Sequence, residues 1–291
     1  MADVQHAGGR VVVDDASVPA PGCAPTETKD KTEKRQLKQD LVLVPLVFVV
    51  VVGIWQLVSA TGIVNPIILP TPTSIAESFW NLIRADWFLP HLFTTVIETV
   101  VGFAIGCGAG VILGIMLANM NLFRRLAYPY VVAFQVMPKV VLAPIFLTWF
   151  GFGMNSKIAL AAAICFFPVL VNTVLGLESV EENAVLLMRS FVATRRQIFT
   201  KVAFPNALPA IFAGLETSAT IALIGALVGE FVTAKRGLGL LLTTFNMQLK
   251  ISWVFATIVV ISIVGLLLYG SVVLARYKIV FWQRNWQREI Q

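Results

Sequence analysis

Residues 178–206 read ESVEENAVLLMRSFVATRRQIFTKVAFPN. This polar island stands between two stretches, 158–177 and 207–234, each apolar enough to cross a bilayer. A hydrocarbon core of about 30 Å takes roughly 20 apolar residues of helix. Four more stretches qualify, at 41–61, 92–118, 126–152 and 251–275. In lipid the backbone must satisfy its own polar groups, so these segments must be helices. The fold class expected is an all-α membrane protein of six spans. The island adds a helix of its own at about 184–191, with Val185, Leu187, Met188 and Phe191 as apolar anchors. Its 29 residues are more than a plain connection needs. A short amphipathic helix of this kind can insert into a groove on a soluble partner, and Arg189, Arg195 and Arg196 can add charge complementarity. The plainer alternative is a solvated loop.

Composition agrees with the membrane reading. The 291 residues are 57% hydrophobic and 13% charged, with a mean hydropathy of +0.82. A soluble domain carries roughly 25% charged residues. Basic residues set the orientation. Leaving aside Arg10 in the first tail, the tails and the even-numbered connections hold fifteen Lys and Arg, from Lys29 to Arg288, against five on the other side: Arg84, Lys157, Lys235, Arg236 and Lys250. Both termini and the island are therefore expected in the cytoplasm. The net charge of +6 reads as this bias, not as a nucleic-acid surface. Residues 1–40 read as a disordered cytoplasmic tail rather than a signal peptide. The membrane domain is expected over 41–280 and a short cytoplasmic tail over 281–291.

Several chemistries are excluded. The sequence has no G-x-x-x-x-G-K-[ST] loop and no H-E-x-x-H, and its two histidines, His6 and His91, lie far apart. Cys23, Cys107 and Cys165 are too scattered for a metal site and suit small core residues. The chain presents no catalytic set, no metal site and no cofactor site. Energy for uphill movement must come from an ion gradient or from a partner.

The spans carry unusual polar residues. Gly102, Gly106, Gly110 and Gly114 recur every fourth residue, which permits close helix approach. Pro129, Pro138 and Pro144 make the third span kinked or discontinuous. Gln135 and Lys139 share a face there, and Lys139 either lines a path or pairs with Glu98. Glu216 and Glu230 fall about 40° apart on a helical wheel, with Thr217 and Thr220 near them, forming a polar seam. Before the second span, Pro66, Pro70 and Pro72 extend the chain. Thr73 or Ser74 then caps a surface helix over 75–84 that presents Ile75, Phe79, Leu82 and Ile83 on one side.

The island resembles the cytoplasmic coupling motif of binding-protein-dependent ABC importer permeases. Arg189, Ser190, Ala193, Thr194, Gln197, Phe199, Val202, Pro205, Ala207, Leu208 and Pro209 match that pattern. Its leading Glu-Ala-Ala is replaced by Leu186, Leu187 and Met188, and its glycine by Val192. Valine does not readily take the φ > 0 values open to glycine, so this turn departs from the pattern. LPTPTSI, MPKVVLAPIFLTWFGFGMNSK, FFPVLVNTVLGL and IGALVGEFVTAKRGLG resemble the nitrate/sulfonate/taurine permease subfamily. Within it, the chain is most similar to permeases for thiamine precursors, riboflavin or similar rings.

The resemblance implies a type I importer fold in a bacterial inner membrane. Its partners would be a second permease copy, two cytoplasmic ATPase subunits carrying ATP and Mg, and an extracytoplasmic solute-binding protein. Val185, Leu187, Met188, Arg189, Ser190, Phe191, Ala193, Thr194 and Gln197 would couple to the ATPase. Glu98, Gln135, Lys139, Asn172, Glu216, Thr220 and Glu230 would line the path. The competing reading is a proton-coupled secondary transporter that uses Glu98, Glu216 and Glu230; a third is a non-transporting membrane scaffold or enzyme subunit.

Overall fold

The computed structural model describes residues 43, 45–62, 65, 67–120, 126, 129, 130, 133, 134, 136–233 and 235–282. The expected tail over 1–40, residues 283–291 and, within the expected third span, residues 127, 128, 131, 132 and Gln135 lie outside them. The chain divides into two units, 1–54 and 55–291. The described part of the first is helical. The second carries the helical bundle.

Every regular element among the described residues is helical. In chain order these are α1 (Pro45–Ala60), α2 (Pro72–Arg84), α3 (Phe88–Asn119), a 3₁₀ turn (Lys139–Leu142), α4 (Ala143–Phe150), α5 (Met154–Glu178) and α6 (Glu182–Ser190). They are followed by α7 (Arg195–Ile198), a π segment (Phe199–Ala203), α8 (Phe204–Thr233), α9 (Leu238–Met247) and α10 (Ile251–Ile279). Four are long and apolar enough to span a membrane: α3, α5, the rod Arg195–Val232 and α10. The expectation of six is met by four among the described residues. α1 is shorter, and of the third span the 3₁₀ turn and α4 are the continuous helical part. Pro138 precedes that turn and Pro144 sits in the first turn of α4, where a missing N–H is tolerated. The expected discontinuity is present.

Glycine spacing sets the central packing. A Cβ on Gly102, Gly106, Gly110 or Gly114 would strike Ala161, Ala162 and Cys165, Phe166 and Val169, or Thr173 respectively. Both numbers rise together, so α3 and α5 run parallel at van der Waals distance. Gly108 points away and meets nothing. On the other side of α5 the direction reverses. Gly176 lies against Ala207 and Ala210, Gly214 against Asn172, Gly225 against Ala161, and Gly229 against Lys157. Thus α8 is antiparallel to α5. The glycine stripe is intramolecular packing. Cys107 and Cys165 are buried between these helices as free thiols.

The rod from Arg195 into α8 changes register once. Pro205 has no N–H to offer the Lys201 carbonyl. Just before it, Phe204 N–H donates to Phe199 O, the i→i−5 bond of a π turn. At the far end α8 gives way to α9, a short helix with no counterpart in the sequence expectations. The α9 side chains Leu238, Leu241 and Phe245 join Leu82, Phe88, Leu223, Leu227 and Val254 in one apolar cluster.

The surface helix α2 begins earlier than expected. Thr71 is its cap, accepting Ser74 N–H at 3.2 Å, and Pro72 opens the helix with φ already set. Ile75, Ser78 and Leu82 form its buried stripe. Ile83 is exposed, with Arg84 folded over the Trp80 ring at 4.3 Å.

Candidate functional site

The island folds as helix, turn, helix. α6 ends in a Schellman turn: Val192 N–H donates to Arg189 O at 2.9 Å and Ala193 N–H to Met188 O at 3.1 Å. That turn needs a left-handed residue, usually glycine. Val192 supplies it at φ 55. The expectation that valine would avoid this conformation is wrong; two backbone hydrogen bonds hold it there. Thr194 and Gln197 then form a capping box for α7, with Gln197 Oε1 accepting Thr194 N–H at 2.8 Å and Thr194 Oγ1 accepting Gln197 N–H at 3.3 Å. Ser190 Oγ donates to Leu187 O at 2.7 Å. Ser190, Thr194 and Gln197 therefore shape the turn.

The apolar face of α6 differs from the expected set. Val185 and Met188 are half-buried, as is Ala193. Leu187, Phe191 and Val192 point away from the bundle, 60%, 74% and 88% exposed. Arg189, Arg195 and Arg196 are also exposed.

At the opposite end of the bundle lies a buried polar knot. Lys157 Nζ sits 3.0 Å from Glu98 Oε1, with both side chains buried. Glu230 faces the start of α9. Thr95 Oγ1 donates to Glu230 Oε1 at 2.6 Å and accepts Leu238 N–H at 2.8 Å. Gly239 N–H donates to Glu230 Oε2 at 2.5 Å. His91 Nδ1 accepts Gly237 N–H at 3.0 Å. Gly237 caps α9 with no side chain of its own, at φ 136; a Cβ there or on Gly239 would collide with the Glu230 carboxylate. Glu230 and Thr95 thus cap α9 from two other helices, and the carboxylate sits at the positive end of the α9 dipole.

Three sequence expectations change here. Glu98 pairs with Lys157, not Lys139. Lys157, counted among the connecting residues, lies in the first turn of α5 and is buried. The Glu216–Glu230 seam is not continuous: Glu216 pairs with Arg276 of α10 at 3.0 Å, Glu230 belongs to the knot, and Ala219, Ala222, Leu223, Ala226 and Leu227 lie buried between them. Of the remaining expected path residues, Lys139 holds its ammonium 5.3 Å from the Phe167 ring centre. Asn172 donates to Pro168 O at 2.8 Å, and Thr220 is exposed. Gln135 is not among the described residues. Sequence reading missed Thr95, His91, Lys157, Gly237 and Gly239. The Glu98–Lys157 pair continues the α3–α5 register, in which positions 98, 102, 106, 110 and 114 each have a partner 59 residues on. Among the described residues no group of His, Cys, Asp and Glu could hold a metal ion.

Residues 110–279 match the family described as binding-protein-dependent transport system inner membrane component. The chain belongs to this family. It is the permease subunit of an ABC importer, a transport component rather than an enzyme. The permease is 33% identical over 240 residues to the formylaminopyrimidine transport permease ThiX of Halalkalibacterium halodurans, covering 82% of this chain and 95% of that one. It is 31% identical to the putative aliphatic sulfonates transport permease SsuC of Bacillus subtilis, over 82% of this chain and 86% of that one. Against the riboflavin permease RibX of Chloroflexus aurantiacus the identity is 30%, over 83% and 90%. Its fold is shared with the inward-facing MetNI methionine transporter, at a TM-score of 0.57 and 20% identity, covering 69% of this permease and 96% of that chain. A bacterial alginate transporter gives a TM-score of 0.53 at 14% identity, covering 84% and 97%.

Proposed function

We propose that the helix-turn-helix at 178–206 is where a cytoplasmic ATPase docks and drives the permease. The observation that carries this reading is the outward apolar pair Leu187 and Phe191, one turn apart at the end of α6, with exposed Arg189, Arg195 and Arg196 close by in sequence. A cluster so exposed on a short helix is suited to a groove on a soluble subunit. The charge asymmetry supports placing this end in the cytoplasm with both termini. With Arg10 counted and Lys157 removed, sixteen basic residues stand against four. Two permease copies would enclose the path, with Lys139, Asn172, Thr220 and Gln135 among its lining. ATP and Mg would be held by the two ATPase subunits, and a solute-binding protein would load the opposite face. The solute we infer is a small organic molecule, of the kind named for the formylaminopyrimidine, riboflavin and aliphatic sulfonate relatives. Glu98 and Glu230 lie in the knot, so neither argues against an anion.

Phe191→Asp tests the docking surface. An unpaired carboxylate in the ATPase groove is costly, whereas Phe191 touches little of the permease itself. The variant should reach the membrane at normal levels, yet retain little ATPase on purification in mild detergent. Normal co-purification and normal ATP hydrolysis would refute the assignment.

A further inference from the structure

The knot lies at the far end of the rod whose near end belongs to the proposed docking segment. Arg195 and Glu230 are joined by helix throughout, across the π segment. At 1.5 Å per residue they stand about 50 Å apart. At the far end Glu230 is tied to α3 through Thr95 and to α9 through Gly239 N–H. Beside it, Gly229 packs on Lys157, which is tied to Glu98. Four helices therefore meet around buried, hydrogen-bonded charges at one end of the rod. A buried ion pair that loses one member leaves an uncompensated charge, so such a junction resists opening. The near end is different: the π turn and Pro209 interrupt the regular hydrogen-bond ladder there.

From this we infer that Glu230, Thr95 and the Glu98–Lys157 pair are positioning residues that fix the outer end of the rod as a pivot through the transport cycle. Force entering at the docking segment moves the near end of the rod, which bends at the π turn while the far end holds. The four outer helix ends travel together, and solute does not pass between them. This rests on the docking role given above to 178–206.

The test uses the complete permease–ATPase complex in proteoliposomes, with one spin-labelled permease copy per complex and Cys23 replaced by Ser. Labels at Asp86→Cys and Lys235→Cys report the outer ends of α3 and α8; labels at Asn119→Cys and Glu182→Cys report the near end. Between the nucleotide-free and the vanadate-trapped Mg-ATP states, the outer distance should stay constant and the near distance should shift. A shift in the outer distance, or constancy in both, overturns the pivot. Lys157→Met should lower ATP turnover per folded complex by at least roughly tenfold and broaden the outer distance, because Glu98 is left unpaired. Glu98→Leu with Lys157→Met should return turnover to within about twofold and narrow the distance again, since a well-packed apolar pair can replace a buried ion pair. If the two residues handled solute or protons, the double variant would be folded and inactive. Absence of any ATPase in the purified complex would refute the docking assignment, whereas a shifted outer distance with the ATPase bound and trapped would refute the pivot alone.

Discussion

Val192 sits where the Schellman turn wants glycine, and its φ of 55 is the left-handed region that a β-branched residue enters at a cost. Its side chain is almost fully exposed, so it gains little packing there. Val192→Gly should therefore stabilise the permease by about 1 kcal/mol, seen as a higher Tm in detergent. An unchanged or lower Tm would show that Val192 is not strained. The same turn recurs between α9 and α10, where Leu249 takes φ 57 and Lys250 N–H donates to Phe245 O at 2.9 Å. A left-handed valine cannot be foreseen from residue preference, which argues against it; only the surrounding hydrogen bonds show why the chain accepts it. Lys157 was hidden for a related reason: a lysine at the end of an apolar run reads as a loop residue until its partner is known. Thr194 and Gln197, by contrast, stand in the spacing of a capping box and form one.

Among the elements, the α3–α5 contact is the tightest and the easiest to challenge. A methyl on Gly106 would run into the Ala162 backbone carbonyl, which cannot move aside, while Gly108 on the opposite face has open space. Gly106→Ala should cost about 1–3 kcal/mol through overpacking. Gly108→Ala should be neutral or gain up to about 1 kcal/mol in helix propensity. Thermal unfolding of the two variants in one detergent checks the contrast; equal Tm values would mean the helices are not in contact. Long apolar runs and the glycine period were legible in the sequence because lipid and close packing impose them directly. α9 was not, since the ten residues LGLLLTTFNM between longer runs carry no marker that separates a short packed helix from a loop. The face of α6 was legible only in part: period alone names Val185, Leu187, Met188 and Phe191, but which of them turn outward depends on how the helix lies against the bundle.

At the scale of the whole molecule, the buried glutamates decide between two energy sources. A gradient-driven carrier needs carboxylates that exchange protons with each side in turn. Here Glu98 is paired with Lys157, Glu230 accepts hydrogen bonds from Thr95 and Gly239, and Glu216 is paired with Arg276. Each is held by neighbours that would have to let go before a proton could pass. The chain also has no ATP-binding loop of its own, so energy on this reading arrives through the exposed face of α6 from a partner. Uptake should accordingly depend on ATP and ignore a collapsed proton gradient. The measurement is accumulation of radiolabelled solute by vesicles holding the permease, its ATPase and its binding protein, with ATP inside. Adding a protonophore should leave the rate within about twofold, and Glu230→Gln should reduce it without creating any sensitivity to pH gradient, because its loss loosens a junction instead of removing a carrier. Uptake driven by an imposed pH gradient with no ATPase present would overturn this account and place the three glutamates on a proton route.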